Sequence, residues 1–172
     1  MRCERGISTC EELLRAARTL GFSRVDGRIV TDKLDLGALR DATASLEDGI
    51  GVVSDAAWFG AQTRAVRNTL IAGVIQNFEF VYELGFKMIK RQLEAEAASP
   101  TEVDESNFRD VLRMAGEKGL IADVEAWFDY HRMRGTTSHT DNHEKARLVY
   151  QGILKFTGDA RALLAALEAR NA

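Results

Sequence analysis

The chain has 172 residues, 45% of them hydrophobic and 28% charged, which suits one core that needs no disulfide or metal to hold it. A formal net charge of -3 excludes a protein that draws nucleic acid by its overall field, so any RNA contact must be local. There is no apolar run of bilayer length. The opening Met1 to Leu14 also lacks an apolar stretch behind its basic residues, so the expectation is a soluble, cytoplasmic protein with no membrane partner.

Cys3 and Cys10 both lie near the start and, in a reducing compartment, read as spare thiols. Glu11 to Leu20 form a short amphipathic piece through Leu13, Leu14 and Ala17, and the turn-rich Gly21 to Gly27 follow. Neither continues the pattern beyond them, so residues 1–30 read as an appendage and residues 31–172 as one helical domain.

That domain is predicted to be all-α, a five-helix up-and-down bundle. The sequence has a single proline, Pro100, and is rich in Ala, Leu, Glu and Arg, which leaves a sheet almost no support. Leu36, Leu39, Leu46, Ile50 and Val53, with Thr43 filling the missing step, mark one face of a first helix that Asp35 would cap.

A second helix spans about Leu70 to Ala97. It carries two apolar stripes, one through Ile71, Ile75, Phe78, Tyr82, Ile89 and Leu93 and one through Val74, Val81 and Met88, and two stripes imply a central helix. On it Glu79, Glu83 and Lys87 are spaced four apart, an order that lets Glu83 pair with Lys87. Ser99-Pro100-Thr101 then predicts a loop.

The third helix runs from after Ser106 to Gly119, and the fourth begins at an Asp123 cap and passes through Trp127 and Tyr130 to Arg134, where Gly135-Thr136-Thr137-Ser138 loosens it. The last starts near His143 and carries Ala146, Val149, Ile153, Phe156, Ala160, Leu163 and Leu167.

Tyr130-His131-Arg132-Met133-Arg134 is a local basic cluster and, taken alone, reads as a solvated helix face. His139, Asp141 and His143, with His131 nearby, raise the question of a metal. They straddle a helix end, no Glu-x-x-His pair accompanies them and both cysteines are remote, so no metal or other cofactor is expected. Glycine-rich phosphate loops are absent, as is a Gly-Ser followed by paired aspartates, so the chain is not expected to transfer nucleotides by itself.

Three stretches together, Gly73 to Leu84, Phe108 to Ile121 and Trp127 to Thr140, resemble the nucleotidyltransferase substrate-binding protein family of the HEPN superfamily. The likeness extends over about residues 33–168. It implies a helical subunit that completes a minimal nucleotidyltransferase chain, in a two-component system of the toxin and antitoxin type. In related proteins an arginine, four to six residues and a histidine form a metal-independent ribonuclease site at a homodimer interface. Arg134-Gly135-Thr136-Thr137-Ser138-His139 has that spacing. The alternative implied is therefore a ribonuclease toxin using Arg134 and His139 on an RNA substrate.

The chemistry is coherent without the family. RNA cleavage by its own 2′-hydroxyl needs a group that exchanges protons near neutrality, which His139 supplies, and a fixed cation for the pentacoordinate phosphate, which Arg134 supplies. Ser138 and Thr140 read as caps of the last helix, the alternative for either being to orient the imidazole. Many family members have asparagine where this chain has Gly135, and tyrosine where it has Asp141. A carboxylate cannot replace that phenol as an acceptor of AMP, and beside His139 it favours the imidazolium and repels phosphate. The Glu79, Glu83 and Lys87 face offers material for dimer or partner contacts, whereas Phe78, Tyr82 and Trp127 are better read as core.

Overall fold

The computed structural model describes residues 22–25, 28–31, 33–136 and 143–172. The chain divides into two units, Met1–Leu34 and Asp35–Ala172. In the first, strands β1 (Phe22–Val25) and β2 (Arg28–Thr31) pair antiparallel, with Phe22 opposite Thr31 and Val25 opposite Arg28. Turn signals alone were read there from sequence. The strands are four residues each, too short to register as periodicity, although Ile29-Val30-Thr31 are strand formers and Asp-Gly is a favoured hairpin pair.

The described residues of the second unit form helices and no strand. The five predicted helices are present as α1 (Gly37–Ser54), α3 (Arg64–Glu96), α5 (Phe108–Glu117), α6 (Val124–Thr136) and α7 (His143–Arg170), and two single-turn helices bring the described total to seven: α2 (Ala56–Gly60) and α4 (Pro100–Asp104). The loop expected at Pro100 is thus a turn of helix. Proline stands in its first turn, where a missing N–H costs nothing.

Local chemistry sets most of the ends. Asp35 accepts the Gly37 N–H at 2.9 Å, but from one residue before the cap position, which Leu36 occupies without a side-chain bond. Helix α3 starts at Arg64 rather than near Leu70, because Thr63 accepts the Val66 N–H at 3.3 Å and its first turns are solvated, outside any apolar stripe. Asn107 caps α5, and Asp123 accepts the Ala126 N–H at 3.0 Å as expected. Gly119 has φ 68°, the left-handed conformation that lets the chain turn between α5 and α6 without a Cβ penalty.

Helix α3 is the central one, packed against α1, α4, α5, α6 and α7. Gly85 makes its crossing with α6 and α7 possible: a Cβ there would lie 3.2 Å from Leu163 and 3.4 Å from Trp127. The core is an aromatic cluster around Phe156, which is fully buried and meets Phe78 and Tyr130 edge-on at centroid separations of 4.9 and 5.0 Å. Trp127 and Tyr82 complete the ring around it at 5.9 and 6.3 Å. Such pairs add to area burial through quadrupole geometry.

Among the described residues, buried polar side chains are satisfied. Thr43 returns its hydroxyl to the Leu39 carbonyl and Thr157 to that of Ile153, both at 2.8 Å, so each serves an apolar stripe at no desolvation cost. At the C-terminal end Glu96 gathers Arg170, Lys118 and Gln92. Burial would raise its carboxyl, but these donors outweigh burial and hold it below the ordinary value. Among the described residues no helix is long and apolar enough to cross a membrane.

Phe156→Ala is expected to lower unfolding free energy by about 3–5 kcal/mol in urea titration, while Leu154→Ala, at a side chain 44% exposed, shifts it by less than about 0.5 kcal/mol.

Candidate functional site

Helix α6 carries the predicted arginine in its last turn and runs on through Gly135 and Thr136, beyond the point where glycine was expected to loosen it. Arg134 forms an ion pair with Glu83 of α3. The sequence reading paired Glu83 with Lys87 on its own helix. Across the bundle the guanidinium is the partner instead, because a planar fork matches a carboxylate in geometry and in hydrogen-bond number. Both side chains are about half exposed, at 41% and 52%, so the pair is worth about 0–1 kcal/mol and its effect is positional.

The residue before Glu83 grips the same turn of α6. The Tyr82 hydroxyl and His131 Nδ1 are 3.1 Å apart, so consecutive residues of α3 hold two residues one turn apart on α6. Burial pushes the Tyr82 hydroxyl well above the ordinary tyrosine value, against the opposing pull of the Arg134 charge, and the group stays protonated. On its other side the His131 ring lies 4.0 Å from that of Phe108, which in turn contacts Phe86 at 5.2 Å and Phe128 at 6.1 Å. Arg109 sits over Phe128 at 4.9 Å. No signal in the sequence joined His131 to Phe108, since they belong to different helices.

Tyr130, next to His131, points the other way, into the core, and donates to Asp159. Burial raises its hydroxyl, and the hydrogen bond to Asp159 and the charges of Asp159, Asp123 and Asp129 raise it further. The expected core role of the aromatics holds: Phe78, Tyr82 and Trp127 are each no more than 3% exposed. Glu79 and Lys87 lie one turn to either side of Glu83 on α3, Lys87 exposed and Glu79 half-buried. Ser138, His139, Thr140 and Asp141 lie outside the described residues, which resume with α7 at His143. Among the described residues there is no cluster of three His, Cys, Asp or Glu side chains able to hold a metal ion.

Residues 34–169 match the family described as nucleotidyltransferase substrate binding protein like. The chain belongs to the nucleotidyltransferase substrate-binding protein family. A family relative from Haemophilus influenzae, named probable ribonuclease HepT, is 46% identical over 143 residues, which are 83% of this chain and 98% of that protein. A solved H. influenzae structure, described as revealing the fold of a substrate binding domain of a nucleotidyltransferase, aligns with a TM-score of 0.75 at 45% identity over 78% of this chain and 99% of that one.

The two buried tyrosines set an alkaline limit. Their hydroxyl values are raised in the folded chain, so the stability they contribute is complete below about pH 10 and is lost as pH rises above the unfolded value. A spectrophotometric titration is expected to show Tyr82 and Tyr130 ionising only together with loss of helical circular dichroism.

Proposed function

We propose that the chain is a metal-independent ribonuclease, working as a homodimer and paired with a minimal nucleotidyltransferase in a toxin and antitoxin type of system. The observation that carries this reading is Arg134, held by Glu83 at the end of α6 five positions before His139. The name of the relative that is 46% identical supports it.

In this mechanism His139 takes the proton from a ribose 2′-hydroxyl, whose oxygen attacks the adjacent phosphorus. The bond to the 5′-oxygen breaks, that oxygen leaves with a proton taken from water while His139 returns its own to solvent, and the product strand ends in a 2′,3′-cyclic phosphate. Arg134 neutralises the charge that builds on the non-bridging oxygens, and its value lies in being fixed before the charge develops. Glu83 fixes it. The carboxylate also competes with phosphate for the guanidinium, so Arg134 is shared between the two when RNA binds. Asp141 in place of a phenol means that control by the nucleotidyltransferase partner does not use AMP transfer at that position.

The second reading is a subunit that binds substrate for, or regulates, the nucleotidyltransferase, and the family description and the solved H. influenzae structure favour it. Glu79, Glu83, Lys87 and Ser138 would then serve as contact or supporting residues.

The deciding assay is incubation of the purified chain with total RNA in EDTA. Cleavage leaving cyclic phosphate ends is expected, with a loss of at least about a hundredfold in rate for Arg134→Ala and His139→Ala. Glu83→Gln is expected to reduce kcat by about tenfold with KM unchanged or lower, because the arginine loses its anchor but not its charge. Intact RNA with the wild-type chain would transfer the assignment to the binding subunit.

A further inference from the structure

The side of α6 that carries Arg134 also presents a histidine that the cleavage chemistry leaves unused. His131 lies three residues before Arg134, about 4.5 Å along the helix axis. One of its ring faces is backed by Phe108 at 4.0 Å, its Nδ1 edge is held by Tyr82, and the residue as a whole is exposed. An aromatic ring backed by another in a residue that stays exposed has the make-up of a stacking platform.

The tautomer follows from hydrogen-bond accounting. Tyr82 is 3% exposed, burial keeps its hydroxyl protonated, and His131 Nδ1 is its one hydrogen-bond partner among the described residues. The hydroxyl must therefore donate, since otherwise a buried O–H goes unmade at a cost of about 1–3 kcal/mol. Nδ1 is the acceptor, and the proton of the neutral ring sits on Nε2, which makes that nitrogen a donor.

The surroundings favour a polyanion. Arg109, Arg132, Arg134 and Lys87 carry the positive charges of this region; of the carboxylates on the same helices, Glu83 pairs with Arg134, Asp129 with Arg132 and Asp110 with Arg113, and Glu79 lies one turn before Glu83. Aromatic faces ringed by cations match single-stranded nucleic acid, whose bases stack while its phosphates take the charge. A base inside a duplex has no free face to offer.

We infer that His131, backed by Phe108 and set one helical turn from Arg134, is the seat of an unpaired nucleobase, with Nε2–H donated to an acceptor on the base edge. This depends on the ribonuclease reading and extends it: the seat makes single-stranded RNA the substrate and places one base next to the phosphate that Arg134 grips. Phe108 is the support of the seat, and Tyr82 fixes its orientation.

The test uses single-stranded 2′-O-methyl RNA decamers, which lack the attacking hydroxyl, each with one 2-aminopurine whose fluorescence is quenched on stacking. The full-length wild-type chain is expected to bind them and quench at least one position. The double variant Tyr82→Phe, His131→Ala leaves no orphaned hydroxyl and so avoids the destabilisation of His131→Ala alone. It is expected to weaken binding about tenfold and abolish that quenching, and Tyr82→Phe, His131→Phe to retain the quenching through its ring. In cleavage of unmodified RNA the double variant should raise KM with kcat nearly kept, whereas Arg134→Ala loses kcat. Wild-type cleavage together with unchanged binding, quenching and KM in the double variant would overturn the seat and leave the ribonuclease standing. A wild-type chain that neither binds nor cleaves RNA would overturn both.

Discussion

The structure depends on the burial of α3 among its neighbours, and that burial turns on Phe156. Its ring sits where α3, α6 and α7 converge, with Phe78 and Tyr82 from the first and Trp127 and Tyr130 from the second arranged around it. Gly85 lets the Trp127 ring and Leu163 approach the α3 backbone directly, which sets the distance between the three helices. Apolar packing of Trp127 and Tyr130 therefore sets the course that α6 takes toward its last turn. The Tyr82 and Glu83 contacts only refine it.

Surface ion pairs add registration more than stability. Arg40 with Glu168 and Arg161 with Glu47 tie α1 to α7, and Lys155 joins the Asp123 cap of α6. Each is exposed and individually weak. Their common feature is that they link helices distant in sequence, so they favour one alignment of the bundle over slipped ones.

Much of the fold was legible because it was local. The two stripes of α3 marked it as central, Asp123 and Gly119 announced a helix start and a helix end, and Thr43 was placed correctly on the apolar face of α1 despite its hydroxyl. Departures came where local rules compete. Pro100 breaks a helix in its interior yet opens one in its first turn, and Thr63 started α3 earlier than its apolar stripe suggested. The site was less legible. Arg134 stood out through spacing to His139, and Glu83 through spacing to Lys87, but the meeting of Arg134 with Glu83 requires two helices to cross at one place. His131 was read with its neighbours as a solvated basic face, since nothing in its own segment reveals Phe108. His139, Ser138 and Asp141 fall outside the described residues, so their part in the site is argued from chemistry and kinship.

Tyr82 and Glu83 are joined by one peptide bond, yet one side chain belongs to the interior and the other to the surface, because successive helix residues point about 100° apart. That single step couples two selective pressures that are usually separate. A substitution in the cluster around Phe156 that shifts the α3 backbone would carry Tyr82 and Glu83 together, and with them the contact to the arginine. The interior of this bundle is therefore not a neutral filling. Its residues help to set where the Glu83 carboxylate meets Arg134, so a change deep in the core reaches an ion pair that it never touches.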